Sequence, residues 1–135
     1  MIVADTSAWI GHLRGTATPA ARALGVLLGG PEDIGLTDLV YAELLVGGAD
    51  DLAARRMGRD LAHFPIITQI PLDDHVLAAK LRRDARAAGT PVRGIVDCLI
   101  AAACIRMDLP LLHDDRDFDR LAACSPLRVV TLADS

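Results

Sequence analysis

The chain has 135 residues, 52% of them hydrophobic, and carries 14 Lys and Arg against 18 Asp and Glu, for a formal net charge of -4. That length suits one domain, residues 1–135, with a sizeable core. No apolar run reaches the roughly 20 residues of a membrane span, the N-terminus does not read as a signal peptide, and the acidic balance argues against a simple nucleic-acid coat.

In chain order, Ile2 to Ala4 reads as a strand, followed by a helix that Asp5 or Thr6 could cap. Residues 17–28 read as a second helix, ended by Gly29-Gly30. Ile34 to Leu36 is a short strand, and Asp38 to Val46 a helix stopped by Gly47-Gly48. A helix over residues 50–61 and a short strand from Pro65 to Thr68 come next. Asp73 begins a helix ending near Gly89, and GIVDCLIAAACI, residues 94–105, reads as a buried helix, apolar almost all round. Leu109 to His113 and Leu127 to Thr131 look like strands, separated by a helix beginning near Asp117. Such alternation implies a mostly parallel sheet with helices on both faces, a three-layer α/β/α sandwich. Ligands gather at the carboxyl ends of strands in such sheets. Cys98, Cys104 and Cys124 form no CxxC pair and fit a reduced cytoplasmic setting.

Several carboxylates stand where a core would not want them. Asp97 lies in the apolar helix, and an unpaired carboxylate there costs several kcal/mol. At about 100° per residue it points away from Arg106, the other hydrated residue of that helix. A salt bridge with Arg93, one turn earlier, is the structural alternative. Asp5 falls at the end of the first strand, where a helix cap is an equally good role. Glu43, in TDLVYAELLVG, projects among Leu39, Val40 and Val46. HDDRDFD follows the strand-like LPLL, again at a strand's carboxyl end, and supplies Asp114, Asp115 and Asp117 as candidates. Acids gathered without surrounding Lys or Arg need a divalent cation, and oxygen-only ligation selects Mg²⁺ or Mn²⁺. Such a metal lowers the pKa of a bound water and stabilises charge on a phosphoryl oxygen, which implies phosphodiester hydrolysis.

Asp5-Thr-Ser-Ala after an N-terminal strand, Glu43 in VYAELL, Asp97 in DCLIAAA and the LLHDDRDFDRL segment together resemble PIN-domain ribonucleases. Length and the near-terminal first Asp look like the VapC-type toxins of bacterial toxin–antitoxin pairs. The resemblance implies a magnesium-dependent endoribonuclease with Asp5, Glu43, Asp97 and Asp115 as catalytic acids, Asp5, Asp97 and Asp115 holding metal, and Ser7 and Asp117 as auxiliaries. It also implies a homodimer and a cognate antitoxin laid over the acidic groove. The family commonly has Thr where this chain has His113, which reads as a strand-end residue in preference to a partner of Asp115.

Arg82, Arg83, Arg86 and Arg93 read either as a solvated helix face or as contacts to RNA phosphate, which position a strand without reading it. Trp9, Tyr41, Phe64 and Phe118 are the only aromatics, too few for an extended stacking platform. A receiver domain would need an acidic pair at the first strand and a Lys after a late strand, but Lys80 is the only Lys and lies in a helix. A phosphatase with Asp-x-Asp fails at Asp5-Thr6-Ser7. The remaining alternative is a non-catalytic interaction module whose acids are caps and salt bridges.

Overall fold

The computed structural model describes residues 1–132. Its elements are β1 (Ile2–Ala4), α1 (Thr6–Leu13), α2 (Pro19–Leu28), β2 (Ile34–Thr37), α3 (Asp38–Val46), α4 (Asp51–Leu61), β3 (Ile66–Ile67), α5 (Asp73–Ala87), α6 (Ile95–Met107), β4 (Leu111–Leu112) and α7 (Arg116–Ala123). The strands form a parallel sheet in the order β3-β2-β1-β4. From β1 to β3 the chain steps across the sheet in one direction, and it then jumps back past β1 to β4. Right-handed crossovers therefore put α1 to α4 on one face and α5 and α6 on the other. The step between β1 and β4 is the point where the winding reverses, and its carboxyl end is where a ligand crevice opens.

Local chemistry explains most boundaries. Thr18 caps α2 through Ala21 N, which starts the helix at Pro19 instead of residue 17. Thr37 caps α3 and Asp50 caps α4 in the same way. Gly89, at φ 78°, ends α5 in the left-handed conformation that glycine adopts without penalty. The core runs through the sheet into α6, where Cys98 to Cys104 are all buried, while Val3, Leu36, Leu111 and Leu112 have no exposed surface.

The expected strand from Leu127 to Thr131 reduces to a single bridge between Leu111 and Val129. The Leu111 amide donates to Arg128 and its carbonyl accepts from Val130, but His113 turns away at once to bring the next residues back over β1, so pairing cannot lengthen. β3 and β4 are shorter than expected, each two residues long.

Arg106, expected to be hydrated, is instead anchored. Its Nε and Nη2 donate to the two oxygens of Asp74 at 2.9 and 3.1 Å, and Nη2 also donates to the Thr68 carbonyl. Asp74 is buried, so this bidentate pair rivets α5 to α6. No helix among the described residues is long and apolar enough to cross a membrane.

Candidate metal centre

β1 ends at Ala4, and Asp5 follows as the cap of α1. Its Oδ2 accepts from the Ser7 amide at 3.1 Å and from Ser7 Oγ at 2.7 Å. The cap and the candidate acid are thus one residue, and the two roles use the same side chain. Ser7 Oγ in turn accepts from the Asp114 amide at 2.9 Å, and the Asp5 amide donates to the Leu112 carbonyl. These bonds zip the end of β1 to the turn after β4. Asp5 is only 5% exposed, and burial pushes its pKa up against the lowering effect of Ser7. Replacing Ser7 by Ala keeps the cap's amide bond but unhooks Asp114. The expected loss of stability is about 1 kcal/mol, with turnover falling roughly tenfold to a hundredfold as the acids lose register. Melting curves alongside cleavage kinetics measure both.

Glu43 is exposed on α3, not set into an apolar face. Val40 and Leu44 take the buried side of this helix, and Val46, expected beside Glu43 in the interior, is 85% exposed. Thr6 Oγ1 donates to Glu43 Oε1 at 2.9 Å, which turns the carboxylate toward Asp5. Desolvation and, after the opposing Thr6 bond, the charge of Asp5 leave its pKa raised.

Asp97 sits in the first turn of α6, where the helix emerges from the core. Cys98 onward is buried, but Ile95 and Val96 are partly open, so Asp97 is half-buried at the crevice. Among the described residues no cation pairs with it. Arg93, the alternative partner, turns instead to Asp115 and Asp117. The Asp97 pKa is pushed up to about 7, first by burial and then by the negative charges of Asp5, Asp115, Asp117 and Glu43. After burial, the shift reflects the negative charge of four neighbouring carboxylates acting on Asp97.

Asp115 caps α7, accepting from the Asp117 amide. Its own amide donates to His113 Nδ1 at 3.0 Å, and His113 Nε2 faces Asp119 Oδ1 at 3.2 Å. His113 is therefore more than a strand-end residue: it shapes the turn that presents Asp115. Asp117 has no exposed surface and is saturated with donors. Oδ2 accepts from the Arg93 amide at 3.0 Å and Arg93 Nε at 3.3 Å, and Oδ1 from Arg120 Nη1 at 2.8 Å. Burial raises its pKa, but these bonds outweigh burial and hold it below the ordinary range. Asp114 is exposed and contributes its amide to Ser7.

One oxygen from each of Asp97, Asp115 and Asp117 lies within 4.8 Å of the other two. Asp117 takes the place in this trio that the sequence reading gave to Asp5, which lies outside the trio while adding its charge to it. The donor set is all oxygen and Asp97 is uncompensated, so the residues fit a hard divalent cation such as Mg²⁺ or Mn²⁺.

The cationic side chains nearest the acids are Arg93, Arg116 and Arg120, which with Asp114, Asp115 and Asp117 line a polar recess of about 440 Å³. Sequence reasoning missed Arg116 and Arg120, although both stand in HDDRDFDR among the acids that drew attention. On α5, Arg83 and Arg86 are exposed, while Arg82 is partly covered and close enough to act electrostatically on Cys98, next to Asp97.

Residues 2–123 match the model of the PIN domain. The chain belongs to the PIN-domain family. Within that family it is 36% identical over 132 residues to VapC ribonuclease Mb1587 of Mycobacterium bovis, covering 97% of this chain and 98% of that one. Ribonuclease VapC11 of Mycobacterium tuberculosis shows the same 36% identity over 97% of this chain and 98% of its own. The PIN fold is shared with VapBC2 from Rickettsia felis bound to a promoter DNA fragment, at a TM-score of 0.73 and 18% identity over 96% of this chain and 98% of that one. VapBC-5 from Mycobacterium tuberculosis, a toxin–antitoxin complex, superposes with a TM-score of 0.69 at 23% identity, over 97% of this chain and 98% of its own.

Proposed function

We propose that this PIN-domain protein is a metal-dependent endoribonuclease and the toxin of a toxin–antitoxin pair, with Mg²⁺ as its ion and Mn²⁺ as a substitute. The observation that carries the reading is Asp97: a half-buried carboxylate with no cationic partner among the described residues, set in the field of four others. Membership of the family and kinship with VapC ribonucleases support it.

Asp97 and Asp115 would hold the ion directly, with Asp5 held toward it by Ser7. Bound there, a divalent ion supplies an acidified water and charge stabilisation at a phosphoryl oxygen. Glu43, with its raised pKa at the rim, is suited to take or return a proton. Asp117 serves as the auxiliary that fixes Arg93 and Arg120. Arg93, Arg116 and Arg120 beside the acids, with Arg82, Arg83 and Arg86 on α5, form the surface for RNA phosphates. A homodimer is consistent with the apolar side chains left open on α3 and around the start of α5, where Val46, Leu72 and Val76 are 85%, 76% and 71% exposed. An antitoxin's Arg or Lys near the acids would compete with the ion for carboxylates. A cytoplasmic setting suits action on RNA beside such a partner.

Incubation of the purified chain with structured RNA tests the reading. Internal cleavage is expected with Mg²⁺ or Mn²⁺, abolition with chelator, and recovery when the metal is returned. Cleavage that persists in chelator, or no cleavage of any RNA with metal present, overturns it.

A further inference from the structure

Resting on that reading of the site, we propose that Arg93 is the site's own counter-cation, occupying Asp115 when no metal is bound and competing with the ion for it. Arg93 follows α5 and precedes α6, at the mouth of the crevice. Two of its contacts are to Asp117, through the backbone amide at 3.0 Å and Nε at 3.3 Å, and Asp117 is buried. These fix the root of the side chain. The far end behaves differently. Nη2 straddles the two oxygens of Asp115 at 3.2 and 3.4 Å, a forked, long contact, and the side chain as a whole is 79% exposed. The two guanidinium bonds are of similar length, so the firm anchor of Arg93 is its backbone bond to buried Asp117, and the exposed guanidinium can leave Asp115 without losing it.

Asp115 is one of the three residues whose oxygens converge within 4.8 Å. A group that binds its two oxygens uses the lone pairs that an ion would need. Arg120 makes the informative contrast. It pairs with Asp117 alone, through Nη1 at 2.8 Å, and makes no bond to Asp115. One arginine therefore serves the auxiliary carboxylate, and the other spans the auxiliary and the metal-facing one. Release of Nη2 from Asp115 leaves the backbone bond to Asp117 in place, so the freed end stays beside the recess that Arg116 and Arg120 also line.

Metal binding measured without RNA separates this competition from any phosphate contact. In Mn²⁺ titrations by calorimetry on the full chain, Arg93→Gln is expected to bind Mn²⁺ about tenfold more tightly, because both Asp115 oxygens are freed for the ion. Its melting temperature should fall in chelator and match wild type at saturating Mn²⁺. Arg120→Gln, which strips an equal charge from Asp117 and none from Asp115, should change Mn²⁺ affinity by less than about threefold. Should Arg93→Gln not fold, Arg93→Lys keeps the backbone bond to Asp117 and loses the fork to Asp115, and it is expected to bind Mn²⁺ two- to threefold more tightly. Mn²⁺ affinity that is unchanged or weaker in the folded Arg93 variants, with wild type binding normally, overturns the inference alone. A wild-type chain that takes up no Mn²⁺ overturns the reading of the site as a metal centre, and the inference with it.

Discussion

Asp97→Asn is expected to abolish RNA cleavage while making the metal-free protein more stable. The Asp97 pKa is pushed up to about 7 by burial and by four neighbouring carboxylates, whereas an unfolded Asp titrates near about 4. Between those two values the folded protein retains a proton that the unfolded chain has released. Stability from this group is therefore complete below about pH 4 and is lost as the pH rises through about 7. The full shift would correspond to about 4 kcal/mol, and solvent screening at a half-buried site reduces this to about 1–2 kcal/mol. Asparagine removes the charge and keeps the shape. In chelator near pH 7.5 the variant should melt about 4–8 °C above wild type, and the gap should close as the pH is lowered toward 4. Added Mg²⁺ should raise the wild-type melting temperature and leave the variant where it was. A variant that melts well below wild type in chelator would mean that Asp97 is a structural partner and not an uncompensated ligand.

Asp117→Ala should do the opposite to stability. This carboxylate is buried and accepts from the Arg93 amide, Arg93 Nε and Arg120 Nη1. Its truncation strands the Arg93 backbone donor, unpairs Arg120 and leaves the Arg93 guanidinium only its bond to Asp115. Both arginines reach water and re-solvate, so the expected cost is about 2–3 kcal/mol rather than the larger penalty of a deeply buried pair. Because its pKa is held below the ordinary carboxylate range, its contribution is present above about pH 4 and disappears as the pH falls through the folded value. Urea titration at pH 7 should show a clear destabilisation that shrinks in acid. Cleavage should fall as well, since Asp117 fixes both Arg93 and the first turn of α7. Asp97 and Asp117 are twenty residues of the same chemistry apart in consequence: one carboxylate strains the fold and the other clamps it.

Much of this was legible in the sequence, and the part that was not has a common cause. The bounds of α3 are readable to the residue because a Thr cap precedes it and a Gly pair ends it, both local signals. The alternation of short strands and helices is enough for a parallel α/β architecture. Asp5 shows that a capping role and a site role need not compete, since the cap geometry is what aims the carboxylate. The misreadings are all tertiary. A helical projection can say which residues share a face with Glu43 but not that this face is open. Arg93 lies one turn before Asp97 in sequence, yet bonds across to α7 because Asp117 offers a buried carboxylate that a local pairing cannot match. Arg106 finds Asp74 on a neighbouring helix for the same reason. Leu127 to Thr131 has strand composition, but its would-be partner stops after two residues.

The bond from Ser7 Oγ to the Asp114 amide joins residues 107 positions apart. Around it, β4 inserts beside β1 only after every other strand of the sheet has been made. Contacts of such long sequence separation close late in folding, because the loop entropy must be met before they form. During vectorial synthesis the nascent chain carries Asp5, Glu43 and Asp97 well before Asp115 can reach them. If the proposed acids act together, their set would be incomplete until β4 has left the exit tunnel and closed against β1.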